Sequence, residues 1–159
     1  MALSSPGPLN SLISGGLVLV KSGSIVWRKI DGLSPAIVFG HADADGHLAA
    51  QQSRENLEAR EIEVRRVVVS PETANYRFWE RSFSEQNFAE FELVVVVDIA
   101  FKFKNPAESL RAVLRVVDNH LNTHFVIIDH HALSHPERSR PNLSLVETDS
   151  AFDCCLGAP

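Results

Sequence analysis

Three short clusters in this sequence have the residue types and spacing for metal chemistry. His41, Asp43 and Asp45 alternate along one stretch, Asp98 follows a run of valines, and Asp129, His130 and His131 are consecutive. Carboxylates combined with imidazoles suit hard and borderline cations such as Mn²⁺, Mg²⁺ or Zn²⁺, and no thiolate is among them. Gathering these carboxylates without a cation would be costly, because each charge disfavours the ionised form of its neighbours. Taken singly, every group has a plain structural reading as a helix cap or a strand-end turn, and for Asp98 alone that reading would win. Alternate residues of an extended segment point the same way, so His41, Asp43 and Asp45 can share one face. Gly46 then lets the chain turn tightly into the next element.

The elements around these clusters follow one pattern. Ala36–Phe39 reads as a buried strand and a helix is expected from Ala44 to Arg60, with Ala49, Ala50, Ser53 and Leu57 giving it a small-residue face. Val64–Val69 reads as a second strand. Leu93–Val97 reads as a third, apolar on both faces as a central parallel strand should be. Asn105-Pro106-Ala107-Glu108 has the form of a helix start, with an Asn cap, Pro in the first position and Glu in the third. Leu110, Val113, Leu114, Val117 and Leu121 follow at helical spacing. Phe125–Ile128 reads as the fourth strand. The order β-α-β-loop-β-α-β predicts an α/β fold, a parallel sheet flanked by helices. Each chemical cluster then falls at the carboxyl end of a strand, the edge at which open parallel sheets bind ligands.

Length and composition fit that picture. A chain of 159 residues suits one compact domain. Fifteen basic residues against 20 acidic ones give a net charge of −5, which argues against non-specific gripping of nucleic acid by the whole surface. A short or single-nucleotide substrate is not excluded by it. Cys154 and Cys155 are adjacent, which suits neither an ordinary disulfide nor a metal knuckle, and fits a reducing cytoplasm. No apolar run approaches a membrane span, and the N-terminus makes a poor secretory signal. Residues 1–30 read as an N-terminal extension, in which Leu17–Val20 and Ser24–Ile30 fit either short strands or a helical lead-in.

Phe39-Gly-His-Ala-Asp-Ala-Asp-Gly46 resembles the first motif of the DHH phosphoesterase superfamily, Val95-Val-Val-Asp98 its second, and Ile127-Ile-Asp-His-His131 the third, which names the family. The resemblance covers about residues 36–150, and three motifs in order are far more specific than any one. It implies a Rossmann-like DHH domain over residues 31–159 that hydrolyses a phosphodiester or phosphoanhydride of nucleotide or nucleic-acid origin. His41, Asp43 and Asp98 resemble the ligands of one metal, and Asp45, Asp98 and His130 those of a second, with Asp98 bridging. His131 resembles the residue that contacts the scissile phosphate, and Asp129 would orient the histidine pair. The implied cofactor is Mn²⁺, as two ions, or alternatively Mg²⁺. The implied partner is a nucleotide or a short single-stranded nucleic acid. Single-residue spacing between His41 and Asp43 resembles the RecJ branch of exonucleases.

The sequence also departs from the family. A fourth motif, an Asp that completes the second metal set, is expected well beyond the third. Asp149 and Asp153 lie too close to His131 to fill that role, and Asp149-Ser-Ala-Phe152 reads as the start of the intervening helix. The domain is therefore expected to be incomplete at its C-terminal side. The alternatives to an enzyme are a non-catalytic nucleotide- or protein-binding module, or an inert fragment of a longer DHH enzyme.

Other residues have two readings each. Tyr76, Trp79 and Phe83, with Arg77 and Arg81, fit a stacking patch for a single strand or, more commonly at this spacing, a core stripe. His47 lies near the first cluster and can touch substrate or face solvent. His120, His124 and His135 have no motif around them and are expected on the surface. Lys102 and Lys104 can attract phosphate or simply be solvated.

Overall fold

The computed structural model describes residues 28–70, 77–131, 133–134, 136 and 138–148. The expectations for the segment before residue 28, for Tyr76 and His135, and for Asp149, Asp153, Cys154 and Cys155 lie outside the described residues. Five strands form one sheet: β1 (Ala36–His41), β2 (Val64–Ser70), β3 (Leu93–Val97), β4 (His124–Asp129) and β5 (Leu143–Glu147). The order is β2-β1-β3-β4-β5, and every neighbouring pair is parallel. Helix α1 (Ala44–Glu58) joins β1 to β2, and α2 (Pro106–Asn119) joins β3 to β4. The chain is thus an α/β protein, as the alternation of apolar strands and helical stretches predicts. The strand order reverses between β1 and β3. In this topology the crevice outside the carboxyl ends of those two strands is where ligands bind.

Strand alternation divides the core into two layers. Val38, Val95, Val97, Val126 and Ile128 pack with Ala49, Ala50 and Leu57 of α1. Ile37, Phe39, Val94, Val96, Phe125 and Ile127 pack with Leu110, Val113 and Val117 of α2. Both layers are needed because β3 is buried at every position, which only a sheet covered on both faces allows.

The two layers are built differently. The α1 side is made of small residues at close range. A Cβ on Gly40 would lie 2.6 Å from the Gly46 carbonyl oxygen and 2.8 Å from the Ala50 Cβ. A Cβ on Gly46 would lie 2.5 Å from the His41 carbonyl oxygen. Gly46 therefore serves close approach of helix to strand, not the tight turn expected of it, since it already lies within α1. The α2 side is aromatic. A single turn of π-helix, Phe78–Phe83, delivers Phe78, Trp79 and Phe83 into the core. Edge-to-face contacts run from Phe39 to Phe78 at 5.5 Å, from Trp79 to Phe83 at 5.2 Å and from Phe88 to Phe125 at 5.5 Å. Trp79 and Phe83 are fully buried, so they form a core stripe and not a stacking patch.

Three local expectations need correction. Asn105 precedes α2, but its side chain makes no capping hydrogen bond. Its amide reaches Glu108 Oε2 at 3.4 Å instead, beside the Lys102 ammonium that sits 2.7 Å from the same oxygen. Leu121 lies past the end of α2 and is exposed, so it does not continue the apolar stripe. Strand β5 is a fifth strand beyond the four that the sequence pattern predicts. Among the described residues, no helix is long and apolar enough to cross a membrane.

Candidate metal centre at the carboxyl edge of the sheet

Register brings the three clusters together. Gly40 pairs with Val97 and Val97 with Ile128, so the residues that follow, His41, Asp98 and Asp129, stand in a row across adjacent strand ends. Adjacent strands are about 4.8 Å apart, so each of these backbones is one strand spacing from the next. The row continues outward to Ser70 beside His41 and to Glu147 beside Asp129.

The first cluster is not a single extended stretch. His41 ends β1, Asp43 is the N-cap of α1, and Asp45 is in the helix's first turn. The alternation expected for these three residues therefore stops at Asp43. Asp43 Oδ1 accepts the Gly46 N–H at 2.9 Å, and its Oδ2 lies 2.7 Å from His41 Nδ1. Burial raises the Asp43 carboxyl, but the Gly46 and His41 hydrogen bonds and the His41 charge outweigh it and hold the group below its ordinary value. The capping side chain thus turns one oxygen to the helix and the other to the histidine.

Asp98 is the hub. It has a φ of 55°, in the left-handed region that Asp tolerates better than most residues. Its N–H still donates to the Ile128 carbonyl at 3.0 Å, which ties it to the end of β4. The side chain is only 6% exposed, and Oδ1 lies 3.2 Å from His130 Nδ1. Burial pushes the Asp98 carboxyl above its ordinary value, and the charges of Asp129, Asp43 and Asp45 add to this, partly offset by His130. Residues from all three clusters thus act on one buried carboxylate.

Asp129 is fully buried at the end of β4. Its Oδ1 accepts from the His131 backbone N–H at 2.6 Å and lies 2.8 Å from His131 Nδ1. His130 Nδ1 is 3.9 Å from the same oxygen. The two imidazole rings lie 3.9 Å apart, tilted by 43°. Asp129 Oδ2 is buried and has no hydrogen-bond partner among the described residues. One donor atom from each of Asp129, His130 and His131 falls within 4.8 Å of the others.

This donor set fits a divalent cation. The ligand types are carboxylate and imidazole. Asp98 sits among carboxylates that disfavour its charge. Asp129 keeps a buried oxygen without a partner among the described residues, a state that costs roughly 1–3 kcal/mol or more unless something compensates it. His41, Asp43, Asp98, Asp129, His130 and His131 share one edge, but among the described residues the three that bring donor atoms within 4.8 Å of one another are Asp129, His130 and His131, which is neither of the ligand sets the motifs imply. Asp45 reaches the edge as an exposed side chain at the start of α1.

The remaining candidates separate cleanly. His47 is exposed on α1. His120 and His124 are half-buried and bonded, not the exposed residues expected: His120 Nδ1 lies 2.9 Å from the Val116 carbonyl oxygen, and His124 Nε2 lies 3.1 Å from Ser144 Oγ. Lys102 pairs with Glu108, and Lys104 is exposed. Glu147 joins the edge without having been singled out by the motifs. Its Oε1 accepts the Leu133 N–H at 2.6 Å, which ties the segment after His131 back to β5. The sequence signal for it is weak, because Leu143-Ser-Leu-Val-Glu147 is short and interrupted by Ser144.

No family model matches the chain, and no curated protein does. Among solved structures it is similar to exonuclease RecJ bound to manganese, with 19% identity over 77% of this chain and 29% of that one, at a TM-score of 0.49. It is also similar to RecJ in complex with Mn²⁺ from Thermus thermophilus, with 20% identity over 82% of this chain and 18% of that one, at a TM-score of 0.43. The chain thus spans less than a third of either protein's length. Identities and scores at this level assign no activity.

Proposed function

We propose that this chain is a metal-dependent phosphoesterase domain of the DHH type, acting on a phosphodiester or phosphoanhydride of a nucleotide or short single-stranded nucleic acid. The observation that carries the reading is Asp98. A buried carboxylate at the β1–β3 switch point is surrounded by the charges of Asp43, Asp45, Asp129 and His130, and those residues belong to the three sequence motifs. His41, Asp43 and Asp98 would hold one cation, and Asp45, Asp98 and His130 a second. Mn²⁺ is the favoured ion and Mg²⁺ the alternative. When bound, such a pair supplies a hydroxide at neutral pH and neutralises charge on the phosphoryl oxygens.

The chain's own residues do the rest. Asp98 belongs to both ligand sets and fixes their relation, because its backbone is tied to β4. Asp43 aligns His41 through the Nδ1 contact at 2.7 Å. Asp129 holds His131 through Nδ1 at 2.8 Å, which leaves Nε2 as the ring nitrogen available to a phosphoryl oxygen. Nε2 is thus the atom of His131 that can meet the charge that develops on phosphorus.

Adjacent histidines with different roles should fail differently. His130→Ala should weaken Mn²⁺ binding by about 10-fold or more, since an imidazole leaves the ion. His131→Ala should keep metal affinity near wild type and lower turnover of a dinucleotide by about 100-fold. Paired metal titrations and initial rates measure both. Metal binding without turnover on nucleotides, oligonucleotides and pyrophosphate would replace the enzyme with a binding module, and equal Mn²⁺ affinity in wild type and His130→Ala would remove the metal assignment.

A further inference from the structure

The loop after Asp98 carries an aromatic side chain that the core does not use. Ile99 and Phe101 are 1% and 5% exposed, whereas Phe103 is 94% exposed. The loop around it is fixed on both sides. Trp79 Nε1 donates to the Ala100 carbonyl at 3.1 Å, and the Lys102 N–H donates to Ser109 Oγ at 3.0 Å. Asn105 N–H donates to the Lys102 carbonyl at 3.0 Å. That last bond closes a β-turn with Phe103 and Lys104 at its two corners. Turn corners favour Gly, Pro, Asn, Asp and Ser, each for a backbone reason that neither Phe nor Lys supplies. Folding therefore gains nothing from a phenyl ring at this position.

We infer that Phe103 is a stacking platform for a nucleobase of the substrate, with Lys104 beside it supplying charge for the phosphate backbone. The inference rests on the phosphoesterase reading of the edge and adds a substrate subsite to it. Phe103 follows Asp98 by five positions, so their backbones stand no more than about 18 Å apart, within reach of one short oligonucleotide. Both belong to the carboxyl edge, since the loop runs from the end of β3 to the start of α2. An aromatic ring flanked by a lysine is the pairing that single-strand binding sites use, and it tolerates any base because every base has a stacking face. A held turn lets the ring bind without first being ordered. A protein partner would want a contiguous apolar patch, but Lys104 and Asn105 beside the ring are exposed and polar.

The test compares a pentathymidylate with an abasic backbone of the same length, using wild type, Phe103→Ala and Phe103→Trp. Binding is measured in metal-free buffer and kcat/KM with Mn²⁺. Phe103→Ala should weaken oligonucleotide binding by about 10-fold, and by roughly 5- to 150-fold at the limits, while abasic binding stays as in wild type. Phe103→Trp should retain binding, with fluorescence quenched by the oligonucleotide and not by the abasic strand. Equal losses on both ligands, no loss on either, or a change of oligomeric state in Phe103→Ala without a change in oligonucleotide binding would each overturn the stacking role. Turnover by wild type that Phe103→Ala leaves unchanged sinks only the subsite, whereas base-dependent binding by Phe103 with no metal-dependent turnover sinks only the phosphoesterase reading.

Discussion

The two edges of the sheet both carry polar side chains that burial should penalise, and they treat them in opposite ways. At the amino edge these groups close the fold. Thr123 Oγ1 donates to the Phe91 carbonyl at 2.8 Å, and Asn142 Nδ2 lies 3.1–3.2 Å from the carbonyls of Val117, His120 and Thr123. His120 and His124 have partners of their own. At the carboxyl edge, Asp98 is crowded by like charges, and Asp129 keeps a buried oxygen with no partner among the described residues. A satisfied polar group is scaffold. An uncompensated one, held in place by surrounding structure, marks the position where a ligand completes the balance.

Substitutions at the two edges should therefore differ in sign. The largest expected effect is at the amino edge. Asn142→Leu leaves loop and helix-end carbonyls without their donor and should destabilise the fold by about 2–3 kcal/mol, a fall of roughly 5–10 °C in melting temperature. Mn²⁺ affinity of the folded fraction should not change. A loss of metal affinity in Asn142→Leu would show that the edges are not independent.

His124 gives the other amino-edge effect, of similar size and read through pH. Burial, with the nearby Lys29 charge, lowers its pKa from the ordinary 6.5 to about 4. Between those values the unfolded chain binds the proton and the folded chain does not, so stability is complete above the upper value and falls with pH down to the lower one. The slope due to this group is up to about 1.4 kcal/mol per pH unit. His124→Gln should flatten the stability profile between pH 6.5 and 4. Denaturant melts across that range would reveal an unchanged slope if His124 were ordinary.

The smallest of the three effects has the opposite sign. Asp98→Asn removes the crowded charge and keeps a residue that accepts the positive φ. In metal-free buffer at neutral pH it should stabilise the chain by about 1 kcal/mol, the scale of a favourable charge substitution. A carboxyl whose folded pKa is raised costs stability as pH rises from its unfolded to its folded value, so the gain should vanish in acid, where Asp98 is protonated in both states.

Much of this contrast is legible in the sequence, and what is not has a physical reason. Valine-rich β3 and the helical spacing of Leu110, Val113 and Val117 define their elements without context, because burial on both faces or on one stripe dictates residue type. The placement of His41, Asp98 and Asp129 at strand ends follows from those elements. Strand β5 does not stand out, since Leu143-Ser-Leu-Val-Glu147 is short and half polar, and its identity depends on pairing with β4. Glu147 is missed with it. Gly46 is visible as a motif residue, but its contact with His41 comes only from packing α1 onto β1. Phe103 reads as one more aromatic among buried neighbours until the turn that exposes it is seen.

Thermal melts of wild type and Asp98→Asn, with and without saturating Mn²⁺, test the central claim most directly. The account predicts that Mn²⁺ raises the melting temperature of wild type, because an ion that binds only the folded state stabilises it by mass action. It predicts that Asp98→Asn melts higher than wild type without metal and responds little when metal is added. An Asp98→Asn chain that is no more stable than wild type in metal-free buffer, or that gains as much from Mn²⁺, would contradict it.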